Sequence, residues 1–493
     1  MRSWLTNKQG RFASEVTLLT VSNLLPTMTG FITLPIISRY LAPEDYGILA
    51  LIAAYTTTFA IFVNFQLHSC IPRHIQDYDE LGRKEFFSSL MFTVFFISLV
   101  YLGLSLYLQD SLVGFFYNTE IAYFPLFLLA TLNVVAILFI NITNSFLVVE
   151  KKASKILISN VVATFVGVIA SVWLIVVEDM GVLGSVIGTL LSAICLLLIQ
   201  LVFVRNNFVV SFRWEAIRSS LIFGVPVIPH ALGGYLFMYF DKILLEKWVA
   251  LAAIGVYSIA GRFSMVYKIF VNSFASVLSP VFMESHKRGG EEGARALIYK
   301  VSGIWFPLVG VSYIFFIILS EYVLRVMVPE EYYGAIPLIP FLCLAWVVRA
   351  VYIFPINSFY ATKKTYWLPV GTLSAGFLNV GLNLIWIPVW GIWGAALATV
   401  VAFLFNLLAF EYLSRKKSYG LVYSFGGLGI LLCCVCFGNL LFYISYYFFE
   451  VWGGFVIRLV VISLLSIILY VMWRKFGKEM MDLMGVIRRR DGF

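Results

Sequence analysis

The sequence predicts an all-α integral membrane protein with fourteen transmembrane helices. Hydrophobic residues make up 61% of the 493 residues and charged residues only 12%, and the mean hydropathy is +0.93. A soluble domain cannot bury so large an apolar fraction in one core. Apolar runs long enough to cross about 30 Å of hydrocarbon recur fourteen times. Composition and run length therefore exclude water-soluble enzymes and binding domains.

The first run, about 16–38, is too long for a signal-peptide core and lacks an A-x-A-like cleavage site, so we interpret it as the first helix. The approximate limits of all fourteen runs are 16–38, 46–67, 86–108, 122–148, 156–177, 181–204, 219–240, 251–283, 299–320, 335–358, 367–388, 391–413, 420–447 and 453–473.

The positions of the basic residues predict the orientation of these helices. With the N-terminus inside, 27 of the 35 lysines and arginines fall in cytoplasmic segments, as the positive-inside rule requires. The outer segments contain Arg39, Lys242, Lys247 and Arg325, and the helices contain Arg262, Lys268, Arg349 and Arg458. Because the net charge of +9 lies in short loops on one side, it indicates a membrane surface and no nucleic acid. Both termini are predicted to be cytoplasmic.

An internal repeat divides the chain into two halves. Asn144-Ser-Phe, Lys151-Lys and Gly181-Val-Leu-Gly recur as Asn357-Ser-Phe, Lys363-Lys and Gly391-Ile-Trp-Gly, at offsets of 213, 212 and 210 residues, and Tyr46-Gly-Ile recurs as Ile254-Gly-Val at 208. The repeat predicts an N-lobe over 1–210 with helices 1–6 and a C-lobe over 211–418 with helices 7–12. Because six is even, the repeats are parallel. Helices 13 and 14 and a basic cytoplasmic tail occupy 419–493.

The run 251–283 carries two positive charges where the lipid is deepest. At about 100° per residue, Ser264, Lys268 and Asn272 share one helix face, and Arg262 borders it. A charge at the bilayer centre costs at least about 2.5–3.5 kcal/mol on insertion scales. This helix is therefore predicted to form one wall of a wet, cationic cavity.

No carboxylate is expected at the same depth, since Glu15, Asp241, Glu284, Glu321 and Glu411 all fall at the ends of runs. Arg262, Lys268 and Arg349 are therefore predicted to meet an anionic ligand, because unpaired buried charges are too costly to keep without one. A phosphate group suits both the planar arginine fork and the lysine point charge.

Several other residues are candidates for contacting the ligand or relaying protons. Each could instead serve only as an anchor or a packing residue. Arg39 and Arg73 lie at run ends, where they act as interfacial anchors or as substrate contacts. His230 follows Pro226 and Pro229, which should interrupt the helix, and it serves as a packing residue or in a proton relay. Asn272 and the aromatic residues Tyr257, Tyr267 and Tyr352 are candidate contacts to sugars, or ordinary packing residues.

The sequence contains no catalytic motif and no spacing typical of a metal site. The six cysteines lie in or at the end of apolar runs, and no histidine or carboxylate stands near the cluster Cys433-Cys434-Val-Cys436, so we expect neither disulfides, nor metal, nor a cofactor. Loops are too short for a folded catalytic domain, which indicates a transporter and not an enzyme.

Three segments resemble the Wzx-type polysaccharide flippases of the multidrug/oligosaccharidyl-lipid/polysaccharide (MOP) exporter superfamily. They are RYLAPEDYGILAL at 39–51, the passage FGVPVIPHALGGYLFMYFDKILLEK with AAIGVYSIAGRF, and LNVGLNLIWIPVWGIWGAALATV. The resemblance implies two six-helix lobes around a central cavity, and transport of undecaprenyl-diphosphate-linked oligosaccharide from the inner to the outer leaflet of a bacterial cytoplasmic membrane. It also implies that cavity cations such as Arg262, Lys268 and Arg349, and by analogy Arg39 and Arg73, meet the diphosphate.

Two other functions remain open at this stage. A cation-coupled drug antiporter of the same superfamily usually has an acidic residue deep in helix 1 or helix 7, and a membrane polysaccharide polymerase or ligase usually has a large outer loop. The expected partners are the polyprenyl-linked glycan, membrane lipids and other polysaccharide-assembly proteins such as a polymerase or a chain-length regulator. The glycan itself, and its O-antigen, capsule or exopolysaccharide pathway, stay open.

Overall fold

A computed structural model of the chain describes residues 30–117 and 124–448, together with Leu18, Ser22 and Leu464; of Gln76 and His230 it describes only the backbone. Within these residues every regular element is a helix. Most of the predicted run 16–38, nearly all of the run 453–473 with Arg458, and the basic tail lie outside the described residues.

The α-helices are, in chain order, α1 Leu34–Ile37, α2 Pro43–Val63, α3 Ile71–His74, α4 Glu80–Tyr107, α5 Gln109–Phe116, α6 Leu126–Val149, α7 Ala153–Val176, α8 Gly181–Val204, α9 Trp214–Gly224, α10 Ile228–Met238, α11 Phe240–Glu246, α12 Leu251–Met327, α13 Ile339–Ala361, α14 Leu368–Trp390, α15 Ile392–Lys417 and α16 Phe425–Phe448. Short 3₁₀ turns join several of them.

Ten helices of the described residues are long and apolar enough to cross a membrane, or eleven if one bent pair counts as a span. The two predicted runs 251–283 and 299–320 both fall within α12, on either side of Gly290, whose backbone is not helical. The predicted total of fourteen remains a prediction.

Local sequence signals explain where two of these helices begin. Pro43 opens α2 at a position where no backbone N–H is needed, and the side chain of Asp45 accepts a hydrogen bond from the backbone N–H of Ala42 at 2.9 Å. Asp79 precedes α4 and accepts from the N–H of Gly82 at 2.8 Å. Both carboxylates satisfy donors that a helix start leaves free.

The internal repeat is also present in the backbone geometry. Lys151 and Lys363, 212 residues apart, both adopt left-handed conformations with φ of 55° and 57°. Gly181 and Gly391, at an offset of 210, have φ of 52° and 56° and open α8 and α15. The same turns therefore end and begin corresponding helices in both copies. The predicted boundaries of the lobes remain a prediction.

Two glycines of the repeated motif form a close crossing between α2 and α12. A Cβ on Gly47 would lie 2.2 Å from the carbonyl oxygen of Leu251, and a Cβ on Gly255 would lie 1.9 Å from that of Pro43. Both the glycines and their carbonyl partners are related by the offset of 208 residues. Only residues without a side chain allow backbones to approach this closely.

The predicted helix 219–240 is interrupted, as its prolines indicate. The 3₁₀ turn Val225–Val227 separates α9 from α10, and the two parts of the span are bent by 44°. The chain then continues as α11, where the sequence predicted an outer loop. Asp241 in α11 is only 3% exposed, because it accepts a hydrogen bond from the Tyr257 hydroxyl at 2.6 Å and lies 3.6 Å from the Lys242 ammonium.

The chain divides into two compact units, Met1–Ser258 and Ile259–Phe493. The first unit contains the glycine crossing and the interrupted helix. The second contains most of α12 and the helices from α13 onwards.

Candidate substrate site

The long helix α12 reverses direction at Gly290 and forms a hairpin. Gly290 has φ 59° and ψ −147°, a conformation that favours glycine. Close to the turn, the Ser285 hydroxyl donates to the carbonyl oxygen of Gly293 at 2.9 Å. Further along, the rings of Phe274 and Trp305 stack with centroids 3.4 Å apart. The two arms, 251–289 and 291–327, therefore lie antiparallel.

This pairing fixes which face of the first arm packs inside the hairpin. Tyr267 is 2% exposed and donates its hydroxyl proton to the carbonyl oxygen of Val309 on the second arm at 2.9 Å. Phe270 also stacks on Trp305. With the apolar face occupied in this way, the face with Ser264, Lys268 and Asn272 is available to α13.

The side chain of Lys268 lies over the aromatic ring of Trp346 on α13. The Lys268 ammonium lies 5.1 Å from the ring centroid, within the range of a cation–π interaction. The Trp346 indole N–H in turn points at the Ser264 hydroxyl at 3.4 Å, and its ring packs edge-on against Phe403. The ring is thus fixed from two sides, and it orients the lysine without cancelling its charge.

Asn272 orients the second cation of the site. The Nε–H of Arg349 donates to Asn272 Oδ1 at 3.3 Å, and the guanidinium carbon lies 5.8 Å from the Tyr352 ring centroid. Both partners are neutral, so neither forms an ion pair with Arg349. Lys268, Asn272 and Arg349 are all half-buried, which leaves part of each side chain open to a ligand.

The two cations act on each other and lack a counter-charge in the described part of the chain. Arg349 lies close enough to Lys268 for their positive charges to interact. Among residues 30–117 and 124–448, no carboxylate oxygen lies within 4.0 Å of either cationic group. Two like charges held close together repel each other, and an anion placed beside both would relieve this repulsion.

The other residues predicted to contact the substrate on these helices differ in how far they are exposed. Arg262 is half-buried on α12, six residues before Lys268. Tyr257 and Tyr267 are buried in hydrogen bonds to Asp241 and Val309, so neither ring is open to a sugar. Tyr352 is 5% exposed and is covered edge-on by Phe410, which makes it a neighbour of Arg349 and not a platform for stacking.

The remaining candidates belong to the first unit. Arg39 is exposed just after α1. Arg73 is exposed in α3, with its guanidinium 5.4 Å from the centroid of Phe223. His230 lies in α10, and its side chain is outside the described residues. Within those residues there is no group of three or more histidines, cysteines or carboxylates that could hold a metal ion.

Sequence comparisons relate the chain to proteins of glycan assembly. Residues 12–286, more than half of the chain, match the family described as "Polysaccharide biosynthesis protein". The chain is also similar to a protein of Haloferax volcanii described as the probable low-salt glycan biosynthesis flippase Agl15. The two are 22% identical over 411 residues, which cover 82% of this chain and 84% of that protein.

Two solved structures have a similar fold. One is the lipid II flippase MurJ in an inward closed conformation, with a TM-score of 0.74 at 16% identity over 93% of this chain and 99% of that chain. The other is an inward-facing multidrug resistance MATE family transporter of the MOP superfamily, with a TM-score of 0.66 at 17% identity over 81% of this chain and 94% of that chain. At such identities these similarities establish the fold alone.

Proposed function

The chain belongs to the polysaccharide biosynthesis protein family, and from this we propose that it is a flippase for lipid-linked glycans. Its substrate is an undecaprenyl-diphosphate-linked oligosaccharide, which it moves from the inner to the outer leaflet of a bacterial cytoplasmic membrane. The chain is a transporter and carries out no chemistry on the glycan.

The observation that carries this proposal is the pair Lys268 and Arg349, which has no carboxylate within 4.0 Å among the described residues 30–117 and 124–448. Each is oriented by a neutral side chain, Trp346 or Asn272, so the site keeps two positive charges inside an apolar helix bundle. Such charges are costly in a membrane unless water or a ligand compensates them. A diphosphate offers two adjacent anionic groups, one for the arginine fork and one for the lysine point charge.

Arg262 extends this cationic face along α12, and Arg39 and Arg73 contact the headgroup as it enters or leaves. Transport proceeds by alternating access, with two six-helix lobes over 1–210 and 211–418. Fourteen spans with both termini in the cytoplasm accord with the loop charges, and the segment 419–493 adds helices 13 and 14.

The membrane potential favours this direction of transport. An inside-negative potential assists outward movement of an anion by about 2.3 kcal/mol per charge per 100 mV, for charge that crosses uncompensated. The glycan crosses in water while the polyprenyl tail stays in lipid, so no large polar group enters hydrocarbon. The product is delivered to the outer leaflet, where a polymerase and a chain-length regulator extend the glycan.

The side of the membrane on which lipid-linked repeat units accumulate tests this proposal. In cells that lack the protein, the flippase role predicts units that accumulate on the cytoplasmic side and are protected from an external glycosidase. Accumulation on the outer side would instead indicate a polymerase or ligase. Unchanged glycan export together with increased drug sensitivity would indicate an antiporter of the same superfamily.

A further inference from the structure

The segment between α8 and α9 presents an unusual row of exposed apolar side chains. Val210 is 92% exposed, Phe212 58% and Trp214 64%. They alternate with Val209, Ser211 and Arg213, whose backbones face the protein. Aromatic and aliphatic side chains that project together from an irregular segment mark an interaction surface.

Two serine hydroxyls of α4 hold this segment in place. Ser88 Oγ accepts a hydrogen bond from the backbone N–H of Val209 at 2.9 Å, and Ser89 Oγ accepts from that of Arg213 at 2.9 Å. Glu85, one turn earlier on α4, pairs with the Arg213 guanidinium. These bonds pin the odd-numbered backbone positions to α4, and the even-numbered side chains are therefore directed outward.

The backbone of this segment restricts its depth in the membrane. Residues 208–213 form no helix. Their backbone hydrogen bonds to other backbone groups are few: Phe208 N–H donates to Arg205, Ser211 N–H to Val209, and the Arg213 carbonyl accepts from Ile217 at the start of α9. Lipid-exposed irregular backbone is not stable in the hydrocarbon region, because its polar groups find no partners there. At the boundary between headgroups and acyl chains, water and headgroups satisfy the remaining groups.

The surroundings identify the partner as lipid. The segment follows α8 and the 3₁₀ turn Arg205–Asn207, which together are long and apolar enough to cross a membrane, and the side chains of Leu198 and Val202 near the end of α8 are also exposed. Arg205 and Arg218 flank the row and are exposed. Tryptophan and arginine beside apolar side chains are typical of segments that lie in the interface of an anionic leaflet.

We infer that residues 208–214 form a membrane anchor, in which Val210, Phe212 and Trp214 insert into the headgroup boundary of an anionic leaflet and Arg205 and Arg218 contact the phosphates. By the loop charges this is the cytoplasmic leaflet. The connection between the two halves of the repeat thus runs along the lipid surface, attached to α4 on one side and to the bilayer on the other.

Spin labels on the full-length protein in nanodiscs of phosphatidylethanolamine and phosphatidylglycerol test this anchor. The label is placed by Val210→Cys or, as a matched exposed control on the same linker, by Asn206→Cys, in a variant whose exposed Cys433 and Cys436 are replaced by serine. Power saturation then measures collisions with oxygen and with water-soluble nickel-EDDA.

We expect the label at 210 to collide with nickel-EDDA at least about fivefold less often than the label at 206, and with oxygen more often. Equal nickel-EDDA accessibility at both positions would place the segment in water and overturn the inference. Protection of position 210 from both reagents would show that protein covers it, which also overturns the inference. In nanodiscs without phosphatidylglycerol the label should lie closer to water; an unchanged depth would contradict the role of the arginines.

Discussion

The ammonium group of Lys268 lies 5.1 Å from the centre of the Trp346 ring, and the tryptophan is fixed by Ser264 and Phe403 on its other sides. An aromatic face holds a cation without adding a negative charge, whereas a carboxylate partner would neutralise it. This contact connects α12 to α13 and positions the lysine of the candidate site with a neutral partner.

Trp346→Leu removes the aromatic face and should lower the rate of glycan-lipid transport about tenfold, because a desolvated cation–π contact is worth up to about 2 kcal/mol. Trp346→Phe keeps a ring and should retain most of the rate, although it loses the contact to Ser264. The measurement is translocation of a fluorescent lipid-linked sugar in proteoliposomes at equal protein amounts. Equal rates for the leucine and phenylalanine variants would contradict the role of the ring.

Asn272→Asp introduces a carboxylate beside Arg349. The Nε–H of Arg349 already points at Oδ1 of this residue from 3.3 Å, so a charged oxygen there should form an ion pair and cancel half of the positive charge. We expect transport to fall at least about tenfold at unchanged protein abundance. Asn272→Ala, which removes the acceptor but adds no charge, should have a smaller effect. If the aspartate variant transports normally, the charge of Arg349 is not needed.

The glycine crossing gives a prediction for stability. A Cβ on Gly255 would lie 1.9 Å from the Pro43 carbonyl oxygen, which belongs to the backbone and cannot rotate away. Gly255→Ala should therefore destabilise the protein by about 1–3 kcal/mol, as overpacking does. On the same helix, Gly261 has no atom within 4 Å of an added Cβ, so Gly261→Ala should leave the melting temperature equal or slightly higher. Similar melting temperatures for both alanine variants in detergent would argue against the close crossing.

His68 makes stability depend on pH. Burial lowers the pKa of its imidazole below the ordinary value of 6.5, and the Asn64 amide nitrogen lies 3.0 Å from Nδ1, which suits a neutral ring that accepts a hydrogen bond there. Between the lowered pKa of the folded state and about pH 6.5, the imidazole is protonated in the unfolded chain but not in the folded chain. The stability that depends on the neutral ring is therefore complete above about pH 6.5 and is lost as pH falls through the lowered pKa. The melting temperature should drop on acidification, and His68→Gln should flatten that slope. An identical slope in the variant would assign the effect to other groups.

The sequence predicts much of this architecture because hydrophobic run length and charge position are local signals. The motif resemblance is confirmed at the level of the family. Helical periodicity correctly places Ser264, Lys268 and Asn272 on one face, and the recurring Gly181 and Gly391 mark corresponding helix starts. The prolines near His230 mark a real interruption.

Contacts between segments far apart in the chain could not be predicted from these local signals. Periodicity shows that Tyr267 and Lys268 face different directions, but only the hairpin at Gly290 reveals that Val309 buries the tyrosine. The sequence predicts Asn272 as a contact for sugar, whereas in the structure its amide oxygen accepts a hydrogen bond from Arg349, 77 residues away. Likewise, Asp241 falls at the end of an apolar run, and its burial depends on Tyr257 on the following helix.

Binding of a polyprenyl diphosphate to the purified protein tests the central claim most directly. The double variant Lys268→Met and Arg349→Met keeps the approximate length of both side chains and removes both charges. Since each charge-assisted hydrogen bond is worth about 1.5–3 kcal/mol, the Kd should rise at least about 100-fold, while a Lys268→Arg variant binds as the unaltered protein does. An unchanged Kd in the double methionine variant, with the protein still folded, would show that these two cations do not hold the headgroup.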